Sequence, residues 1–505
     1  MELLTGIFLS LFVTIVLFKA LTNFISKRTK TRATPLIKLP PGPSPLPILG
    51  NLLQLGDQPH KSLSKLANIH GPLMTLRLGQ ITTVVISSAA IAKQILQTLD
   101  LNFSDRSRPQ AIQAHDHHLV SVAWMPAGPS WRNLRKICNS YLFSVQRLGS
   151  NEDLRYRKIQ ELLAEVRENC LIGAALDIGK LAFKATLNVL SSNIFSLDLS
   201  DDSDSDFVNE FKEVVRCVMD EVGKPNVADY FPLLAKIDPQ RSKHRNTVNI
   251  GRILDLFDRI IDRRLQLREA EDYVSTNDML DTLLVLVEDD NSEMDRNSMK
   301  HLFLDLFAGG TDTTLSTLEW AMTELLRNPN ALSKARAEIK QTIGKTSSLH
   351  ESHIAQLPYL KAIIKETFRL HPPVPLLLPR KVGQNTETNG YMIPKDAQVL
   401  INVWHIGRDP TLWEDPGIFR PERFLKSNID VKGQDFKLIP FGGGRRICPG
   451  LPLATRMLHL MLGSLVHSFD WKLEDGVTPE NIDMEEKFGL TLEKAQPLRA
   501  IPIQV

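Results

Sequence analysis

The segment of residues 441–450, F-G-G-G-R-R-I-C-P-G, constrains this chain more than any other stretch. Its three successive glycines allow a tight turn and a close approach of the backbone to a flat ligand. Cys448 precedes Pro449 and an apolar run, and because proline is favoured at a first helical position, the pattern predicts a cysteine at a helix N-terminus. There the helix dipole and free N–H groups stabilise a thiolate, the form of cysteine that binds metals. Arg445 and Arg446 add two cations next to it.

A cysteine thiolate is one of the ligands that hold haem iron, and it favours O–O cleavage. The segment resembles the cysteine loop of the cytochrome P450 family, F-x-x-G-x-R-x-C-x-G, and its five fixed positions are filled by Phe441, Gly444, Arg446, Cys448 and Gly450. The alternative is a glycine-rich loop with a buried cysteine that binds no ligand. The resemblance implies haem b with Cys448 as the axial iron ligand, and it places Phe441, Arg446 and Gly450 against the haem.

Composition and charge exclude several other classes of protein. The chain has 505 residues, of which 43% are hydrophobic, so it can bury a large core around a cofactor. Its net charge of +2 gives no reason to expect nucleic acid as a partner. Scattered cysteines without a C-x-x-C pair argue against a disulfide framework or a cysteine zinc site, and they fit a reducing compartment. These are Cys138, Cys170, Cys217 and Cys448.

The N-terminus is apolar or small throughout residues 3–18, and the run continues past Lys19 to Ile25. That length can cross a bilayer with a snorkelling lysine. A cleaved signal peptide is the alternative, but it would need a basic start and a small-residue cleavage site. The positive charges instead follow the run, so the positive-inside rule leaves the rest of the chain in the cytosol. We expect a single-pass anchor in the endoplasmic reticulum membrane at residues 1–26.

The next segment, residues 39–47 with the sequence L-P-P-G-P-S-P-L-P, contains five prolines and cannot form a helix or a central strand. It reads as a stiff spacer and resembles the proline-rich hinge of microsomal cytochromes P450. The predicted organisation is therefore a membrane anchor (1–26), a basic and proline-rich hinge (27–50) and one catalytic domain (51–505).

Periodicity within that domain predicts a mainly α fold with a minor β region. Residues 74–88 alternate and are rich in β-branched side chains, which predicts a hairpin. Residues 130–330 show mostly helical spacing of apolar positions, and short strands return at 374–404. The resemblance implies the cytochrome P450 fold, with a single haem-binding domain behind the anchor.

Residues 308–314, A-G-G-T-D-T-T, lie inside a helical pattern that runs from about residue 295 to 327. Glycine costs about 1 kcal/mol relative to alanine inside a helix, so a kink or a ligand pressed against the backbone is expected, and a helix-packing notch is the alternative. The segment resembles the family's oxygen-groove motif, [A/G]-G-x-[D/E]-T-[T/S]. The resemblance implies that Ala308 and Gly309 face the haem, that Thr313 binds dioxygen, and that Asp312 with Thr313 delivers protons.

Two further motifs are weak evidence by themselves, and their order along the chain makes them more informative. Glu366 and Arg369 form an E-x-x-R pair on one helix face, a spacing common on solvated helices. Residues 421–424, P-E-R-F, follow downstream. The resemblance implies that Glu366, Arg369 and Arg423 form a structural triad that holds the cysteine loop.

The segment W-R-N-L-R-K places Trp131 and Arg135 four residues apart, so they project from one helix face. The alternative is an amphipathic helix with a solvated basic face. The resemblance implies that both contact a haem propionate and that Arg380 does too.

Residues 115–118, H-D-H-H, could bind metal, but their spacing fits no zinc motif. They fall where the resemblance places a loop over the substrate pocket.

The resemblance implies a haem-thiolate monooxygenase that uses O2 and electrons from NADPH. The sequence contains no flavin or nicotinamide fingerprint, so the electrons must come from another protein. The resemblance implies an NADPH-dependent flavoprotein reductase on the same membrane. An electron carrier or haem sensor is disfavoured because a carrier would need protein ligands on both iron faces. The expected docking face is basic, and its candidates are Arg132, Lys136, Lys437 and Arg445.

The expected pocket walls are largely apolar, which predicts a small lipophilic substrate. The hinge, G-D-Q-P-H-K-S-L, L-G-Q-I-T-T-V-V-I-S-S and D-M-E-E-K-F-G-L-T-L resemble the plant terpenoid-oxidising branch of the family, and within it the geraniol 8-hydroxylases most. The resemblance implies hydroxylation of the terminal allylic methyl of geraniol or a related monoterpenol. Alternatives are an oxidase of abietane-type or other diterpenoids and, more distantly, an O2-independent isomerase or dehydratase, which typically lacks the pair Asp312–Thr313.

Overall fold

The computed structural model describes residues 38–198, 205–276, 278–289, 293–344 and 348–504. The predicted anchor (1–26) and the first part of the predicted hinge (27–37) lie outside these residues. Every helix within the described ranges is too short or too polar to cross a membrane.

The described chain is mainly helical, which agrees with the fold class predicted from its periodicity. The α-helices are α1 (Pro59–His70), α2 (Ala89–Lys93), α3 (His117–Val120), α4 (Pro129–Ile137), α5 (Val145–Ser150), α6 (Glu152–Ile172), α7 (Ile178–Phe195), α8 (Ser205–Gly223), α9 (Val227–Tyr230), α10 (Ser242–Arg268), α11 (Met279–Glu288), α12 (Arg296–Gly310), α13 (Asp312–Arg327), α14 (Pro329–Ile343), α15 (Pro358–Leu370), α16 (Val403–Ile406) and α17 (Leu451–Ser468). Short 3-10 or π turns occupy Leu52–Gln54, Gln94–Thr98, Asp100–Phe103, Ala111–Asp116, Cys138–Leu142, Pro232–Lys236, Glu351–Gln356, Pro421–Phe424 and Gly444–Arg446.

The strands form small sheets at the edges of this helical body. They are β1 (Leu73–Leu78), β2 (Ile81–Ile86), β3 (Asp105–Arg106), β4 (Leu176–Asp177), β5 (Arg380–Lys381), β6 (Thr386–Thr388), β7 (Tyr391–Ile393), β8 (Gln398–Ile401), β9 (Phe469–Leu473), β10 (Glu486–Lys487), β11 (Glu493–Lys494) and β12 (Arg499–Gln504). The largest described sheet has the order β1-β2-β8-β5-β3, a second has the order β4-β12-β9, and β6-β7 and β10-β11 are two-stranded.

The predicted hairpin is confirmed, because β1 and β2 pair antiparallel from Leu73 opposite Ile86 to Leu78 opposite Ile81. β2 then pairs in parallel with β8, and β8 pairs antiparallel with β5. This order carries Arg380 of β5 from a distant part of the sequence into the neighbourhood of β3. The five-stranded sheet therefore positions one of the predicted cofactor contacts.

The main hydrophobic core surrounds α12 and α13. Five phenylalanine rings from four helices pack with centroids 4.9 to 6.1 Å apart: Phe195, Phe211, Phe257, Phe303 and Phe307. Aromatic pairs of this kind contribute about 0.5–1.5 kcal/mol each beyond the burial of their area. This cluster fixes one face of α12, so the face that carries Gly309 turns away from it toward a cavity.

The helical pattern over residues 295–327 is interrupted between α12 and α13. Asp295 caps the start of α12 by accepting a hydrogen bond from the Ser298 backbone N–H at 2.7 Å. The break lies at Thr311, which has φ −85° and ψ −71°. The Thr311 and Thr313 hydroxyls donate to carbonyls four residues earlier, at 2.9 and 2.8 Å, and such bonds bend helices. The expected kink is therefore present.

Candidate active site

The cysteine loop adopts backbone conformations that need glycine. Gly442 and Gly444 have φ of +72° and +67°. A Cβ on Gly444 would overlap the carbonyl oxygen of Leu96, so any side chain there would push the loop off its support. The Cys448 N–H donates to the Phe441 carbonyl at 3.0 Å and closes the loop. The spacing of glycines and cysteine thus sets the shape of this loop locally.

Helix α17 starts two residues later than Pro449 suggested. Gly450 is its N-cap, and the proline in its first turn is Pro452. Cys448 nevertheless lies at the helix N-terminus. Burial raises the pKa of its thiol, while hydrogen bonds from the Gly450 and Leu451 backbone N–H groups and the charge of Arg135 oppose that rise. The site therefore directs donors and a cation toward the sulfur, which suits a thiolate that binds a metal.

One cavity of about 320 Å³ extends from Cys448 to the face of α12 that turns away from the phenylalanine cluster. Most of the predicted cofactor contacts line it together: Arg135, Ala308, Gly309, Thr313, Arg380, Phe441, Arg446, Cys448 and Gly450. Cys448 and the kinked helix thus lie across one space, as an axial ligand and an oxygen groove would require.

Buried arginines line the same cavity, and one of them, Arg106, was missed in the sequence. Burial lowers the pKa of Arg106 well below its usual range, and its neighbours Arg380, Arg446 and Arg135 lower it further. Burial also lowers the pKa of Arg380 and of Arg446 to about 10. All four donate to backbone carbonyls, and Arg380 in addition pairs with Asp100 at 3.3 Å. This cluster of buried positive charge fits a dianionic group such as the two propionates of haem.

Trp131 does not line this cavity. Its indole N–H donates to the Val122 carbonyl at 3.0 Å, and its ring stacks on Arg446, with the guanidinium carbon 4.3 Å from the ring centroid. Trp131 is therefore a support for Arg446, since its donor is already used by the backbone. Arg135, one turn along α4, lines the cavity and donates to the Ile447 carbonyl next to Cys448.

Asp312 and Thr313, the pair predicted to deliver protons, lie in two different environments. Thr313 lines the cavity, and its hydroxyl donates to the Gly309 carbonyl at 2.8 Å. Asp312 does not line the cavity. Burial raises the pKa of its carboxyl to about 7, and the negative charges of Glu493 and Asp220 add to that rise. The carboxyl is thus half-protonated near neutral pH, a state in which it can both accept and release a proton.

Glu366, Arg369 and Arg423 form one buried network. Arg369 makes a two-pronged contact with Glu366 at 2.7 and 2.8 Å, and Arg423 Nε donates to Glu366 Oε1 at 2.9 Å. Arg369 also donates to the Gly407 and Pro416 carbonyls at 2.6 and 2.7 Å. The network joins α15 to the loops that precede the cysteine segment.

The histidine cluster separates in three dimensions. His115 contacts the Thr247 carbonyl at 2.9 Å, whereas His117 turns inward to His301 of α12, with 2.9 Å between their Nδ1 atoms. In the described part of the chain, no three His, Cys, Asp or Glu side chains are grouped to hold a metal ion. His301 and Asp305 were missed in the sequence, although one carboxylate within the apolar run L-F-L-D-L-F was a visible signal.

Comparison with known proteins places the chain in a family. The model of the cytochrome P450 family matches residues 40–499. The chain is 55% identical to geraniol 8-hydroxylase of Swertia mussotii, with 97% of this chain and 96% of that protein covered. It is 53% identical to geraniol 8-hydroxylase of Catharanthus roseus, with 99% of both covered, and 48% identical to drimenol monooxygenase of Persicaria hydropiper, with 94% and 93% covered. The chain belongs to the cytochrome P450 family and is a monooxygenase of that family.

Proposed function

We propose that this protein hydroxylates the terminal allylic methyl of geraniol, or of a closely related acyclic monoterpenol. The observation that carries this is a cavity with Cys448 on one side and Thr313 on the other, in a chain that is more than half identical to two geraniol 8-hydroxylases over nearly its whole length. Its wall between these points is mostly aliphatic, which suits a hydrocarbon chain.

The proposed cofactor is haem b, with Cys448 as the iron ligand. Bound haem supplies the activation of dioxygen and its insertion into a C–H bond. Arg106, Arg135, Arg380 and Arg446 would hold the propionates, because these buried cations otherwise face each other with little compensating charge. Trp131 would act through Arg446 by fixing its guanidinium. Glu366, Arg369 and Arg423 would keep the cysteine loop at a constant distance from the cofactor.

Thr313 and Asp312 are proposed to deliver protons. Thr313 presents its hydroxyl at the cavity wall, where it can turn from the Gly309 carbonyl to a ligand. Asp312 precedes it in the chain and is not part of the cavity lining. Burial raises the pKa of its carboxyl to about 7, and Arg216 and Lys487 moderate that rise. Such a carboxyl can take protons from solvent and pass them to the threonine at physiological pH.

Electrons are proposed to come from NADPH through a flavoprotein reductase. The side chains of Arg132, Lys136, Lys437 and Arg445 are exposed near the edge of the cysteine loop and would present a basic docking face. The organisation we propose keeps the anchor at 1–26 in the endoplasmic reticulum membrane, the hinge at 27–50 and the catalytic domain at 51–505, facing the cytosol. In support, the hinge packs on the domain, where the Pro41 carbonyl accepts the Thr75 N–H at 2.8 Å.

The test is turnover of geraniol in microsomes that contain this protein, a plant reductase and NADPH, followed by mass spectrometry. We expect an 8-hydroxylated product with the wild type and none with Cys448→Ser, because an alcohol is a poor replacement for the thiolate. The reduced carbonyl complex should also lose its thiolate-type spectrum in Cys448→Ser. An intact spectrum in that variant would refute the ligand assignment. An intact wild-type spectrum without geraniol turnover would refute the substrate and direct the search to diterpenoids.

A further inference from the structure

The wall of the cavity also carries a carboxylate and an imidazole that lie outside the cysteine loop. His117 and Asp305 both line it, among aliphatic neighbours that include Ile112, Ile250 and Leu304. Asp305 and Thr313 both line this cavity. They are eight residues apart, which corresponds to about 12 Å along a straight helix and to less across the bend at Thr311. The proton-delivery machinery described above uses neither His117 nor Asp305.

Asp305 is buried and held in place by the loop before α4. Its Oδ1 accepts the Ser121 hydroxyl and its Oδ2 accepts the Val122 backbone N–H, each at 2.7 Å. The Nε2 atom of His117 lies 3.4 Å from Asp305 Oδ1, and both side chains are 6% exposed. A carboxylate has about four acceptor positions, so Asp305 retains acceptor capacity at the cavity wall.

His117 presents a donor beside this acceptor. Its Nδ1 is 2.9 Å from Nδ1 of His301, so one of these two atoms must carry a proton. Burial lowers the pKa of His301 to about 4, which leaves that ring neutral at pH 7. If His117 donated through Nδ1, its Nε2 lone pair would face the Asp305 carboxylate. The arrangement with the proton on His117 Nε2 is therefore favoured, with His301 donating through Nδ1.

We infer that Asp305 and His117 bind the hydroxyl group of the substrate alcohol. The hydroxyl would lie between the two groups, donating to the Asp305 carboxylate and accepting the His117 Nε2 hydrogen that otherwise faces Asp305 Oδ1 at 3.4 Å. Both of its hydrogen-bonding functions would then be satisfied inside an apolar cavity. A hydrocarbon or a ketone lacks the donor, and leaves the buried carboxylate without that partner. This inference rests on the proposed function and adds how the same cavity selects an alcohol.

The position of the pair also accounts for oxidation at the far end of the molecule. Eight bonds of about 1.5 Å separate the hydroxyl oxygen of geraniol from C8, and an extended zigzag of that length spans roughly 10 Å. This span is close to the separation of Asp305 from Thr313. A hydroxyl fixed at Asp305 and His117 would therefore hold the terminal methyl at the Cys448 end, whereas an unanchored chain could slide.

The first experiment uses the unaltered haem-loaded protein and three ligands: geraniol, its methyl ether, and the analogue with hydrogen in place of the hydroxyl. We expect one oxidation site in geraniol and a mixture of sites in the other two, read by mass spectrometry and nuclear magnetic resonance of the products. Oxidation of all three at C8 with equal selectivity would overturn the inference while leaving the proposed function intact.

The second experiment measures dissociation constants of the same ligands for Asp305→Asn and His117→Phe, by equilibrium dialysis and by the substrate-induced spectral change. We expect geraniol to bind about tenfold more weakly to each variant, which equals about 1.4 kcal/mol, because a hydrogen bond to its hydroxyl is lost or loses its charged partner. Affinity for the deoxy analogue should change less than about twofold.

Asp229→Asn is the matched control. Asp229 also holds the loop over the cavity, by accepting the Gln110 backbone N–H at 2.7 Å, but it does not line the cavity. Its variant should bind geraniol like the wild type. An equal loss for Asp229→Asn, or an equal loss of both ligands in Asp305→Asn, would mean that loosening of the loop is responsible, and the inference would be wrong. A wild type that fails to bind geraniol would overturn the inference together with the proposed function.

Discussion

At the scale of single residues, the cavity is surrounded by groups whose ionisation is displaced by burial. The arginines near the cysteine loop have lowered pKa values, and Asp312 has a raised one. A folded protein tolerates such groups at a cost in stability, which is usual where chemistry needs them. Asp312 illustrates this cost, because burial and then the negative charges of Glu493 and Asp220 disfavour its ionised form.

Replacing Asp312 by Asn should stabilise the protein in a pH-dependent way. The carboxyl has a pKa of about 7 in the folded state and about 4 in an unfolded chain. The folded state therefore binds more protons between these values, and its free energy of unfolding falls as pH rises through that window. The Tm of Asp312→Asn should exceed that of the wild type more at about pH 8 than at about pH 5.

The same variant should waste reducing equivalents, because an amide cannot deliver a proton. Product formed per NADPH consumed should fall, and hydrogen peroxide should rise. The control is Asp57→Asn, whose side chain is exposed and remote from the motif. A Tm difference that is the same at both pH values would contradict the raised pKa, and normal coupling would contradict the proton role.

At the scale of elements, the junction of α12 and α13 combines a bent helix with two neighbouring glycines in different surroundings. A Cβ on Gly309 would meet no described heavy atom within 4 Å and would project toward the cavity. A Cβ on Gly310 would lie 2.9 Å from Leu190 Cδ1 of α7. The first glycine thus keeps the cavity open, and the second lets two helices approach.

Alanine at these adjacent positions should have opposite effects. In Gly309→Ala the free energy of unfolding should be unchanged or higher by up to about 1 kcal/mol, because alanine favours helix. Geraniol should bind more weakly to this variant, because the added methyl group narrows the cavity. Gly310→Ala should lower the free energy of unfolding by about 1–3 kcal/mol through overpacking against Leu190. Urea unfolding and ligand titration distinguish them, and each variant is the control for the other. A destabilised Gly309→Ala with unchanged binding would contradict this assignment.

At the scale of the whole molecule, a net charge of only +2 conceals an uneven distribution. Arg132, Lys136, Lys437 and Arg445 are exposed, and they come from α4, from the segment before the cysteine loop and from the loop itself. Such a patch accelerates association with an acidic partner, and the effect weakens as salt screens it over about 10 Å at 0.1 M. The proposed docking face is therefore a property of the assembled surface.

Charge reversal in this patch should slow electron transfer from the reductase. Lys136→Glu should reduce the rate several-fold at low ionic strength in stopped-flow measurements, and added salt should slow the wild type toward the variant. Lys180→Glu is the control, since Lys180 is 84% exposed at the start of α7, beside the three-stranded sheet. Reduction that is insensitive to salt, or an equal loss in the control, would contradict the docking face.

The sequence by itself determined the features whose physics is local. Glycine spacing shapes the loop around Cys448, alternation produces the β1–β2 hairpin, and glycines with threonines bend the helix at Thr311. These follow from backbone sterics and side-chain periodicity within a few residues. Motif order was enough to indicate the family.

Only the tertiary structure decided which side chains meet. Ser121 and Asp305 are 184 residues apart in the chain, and packing of the loop on α12 brings them to 2.7 Å. The same packing turns the Trp131 N–H to the Val122 carbonyl, adds Arg106 to the arginine cluster and leaves Asp312 outside the cavity lining. Spacing along one helix fixes the face a residue occupies, but the partner on that face comes from another element. Burial, charge and hydrogen bonding at the site are therefore set by contacts between distant segments.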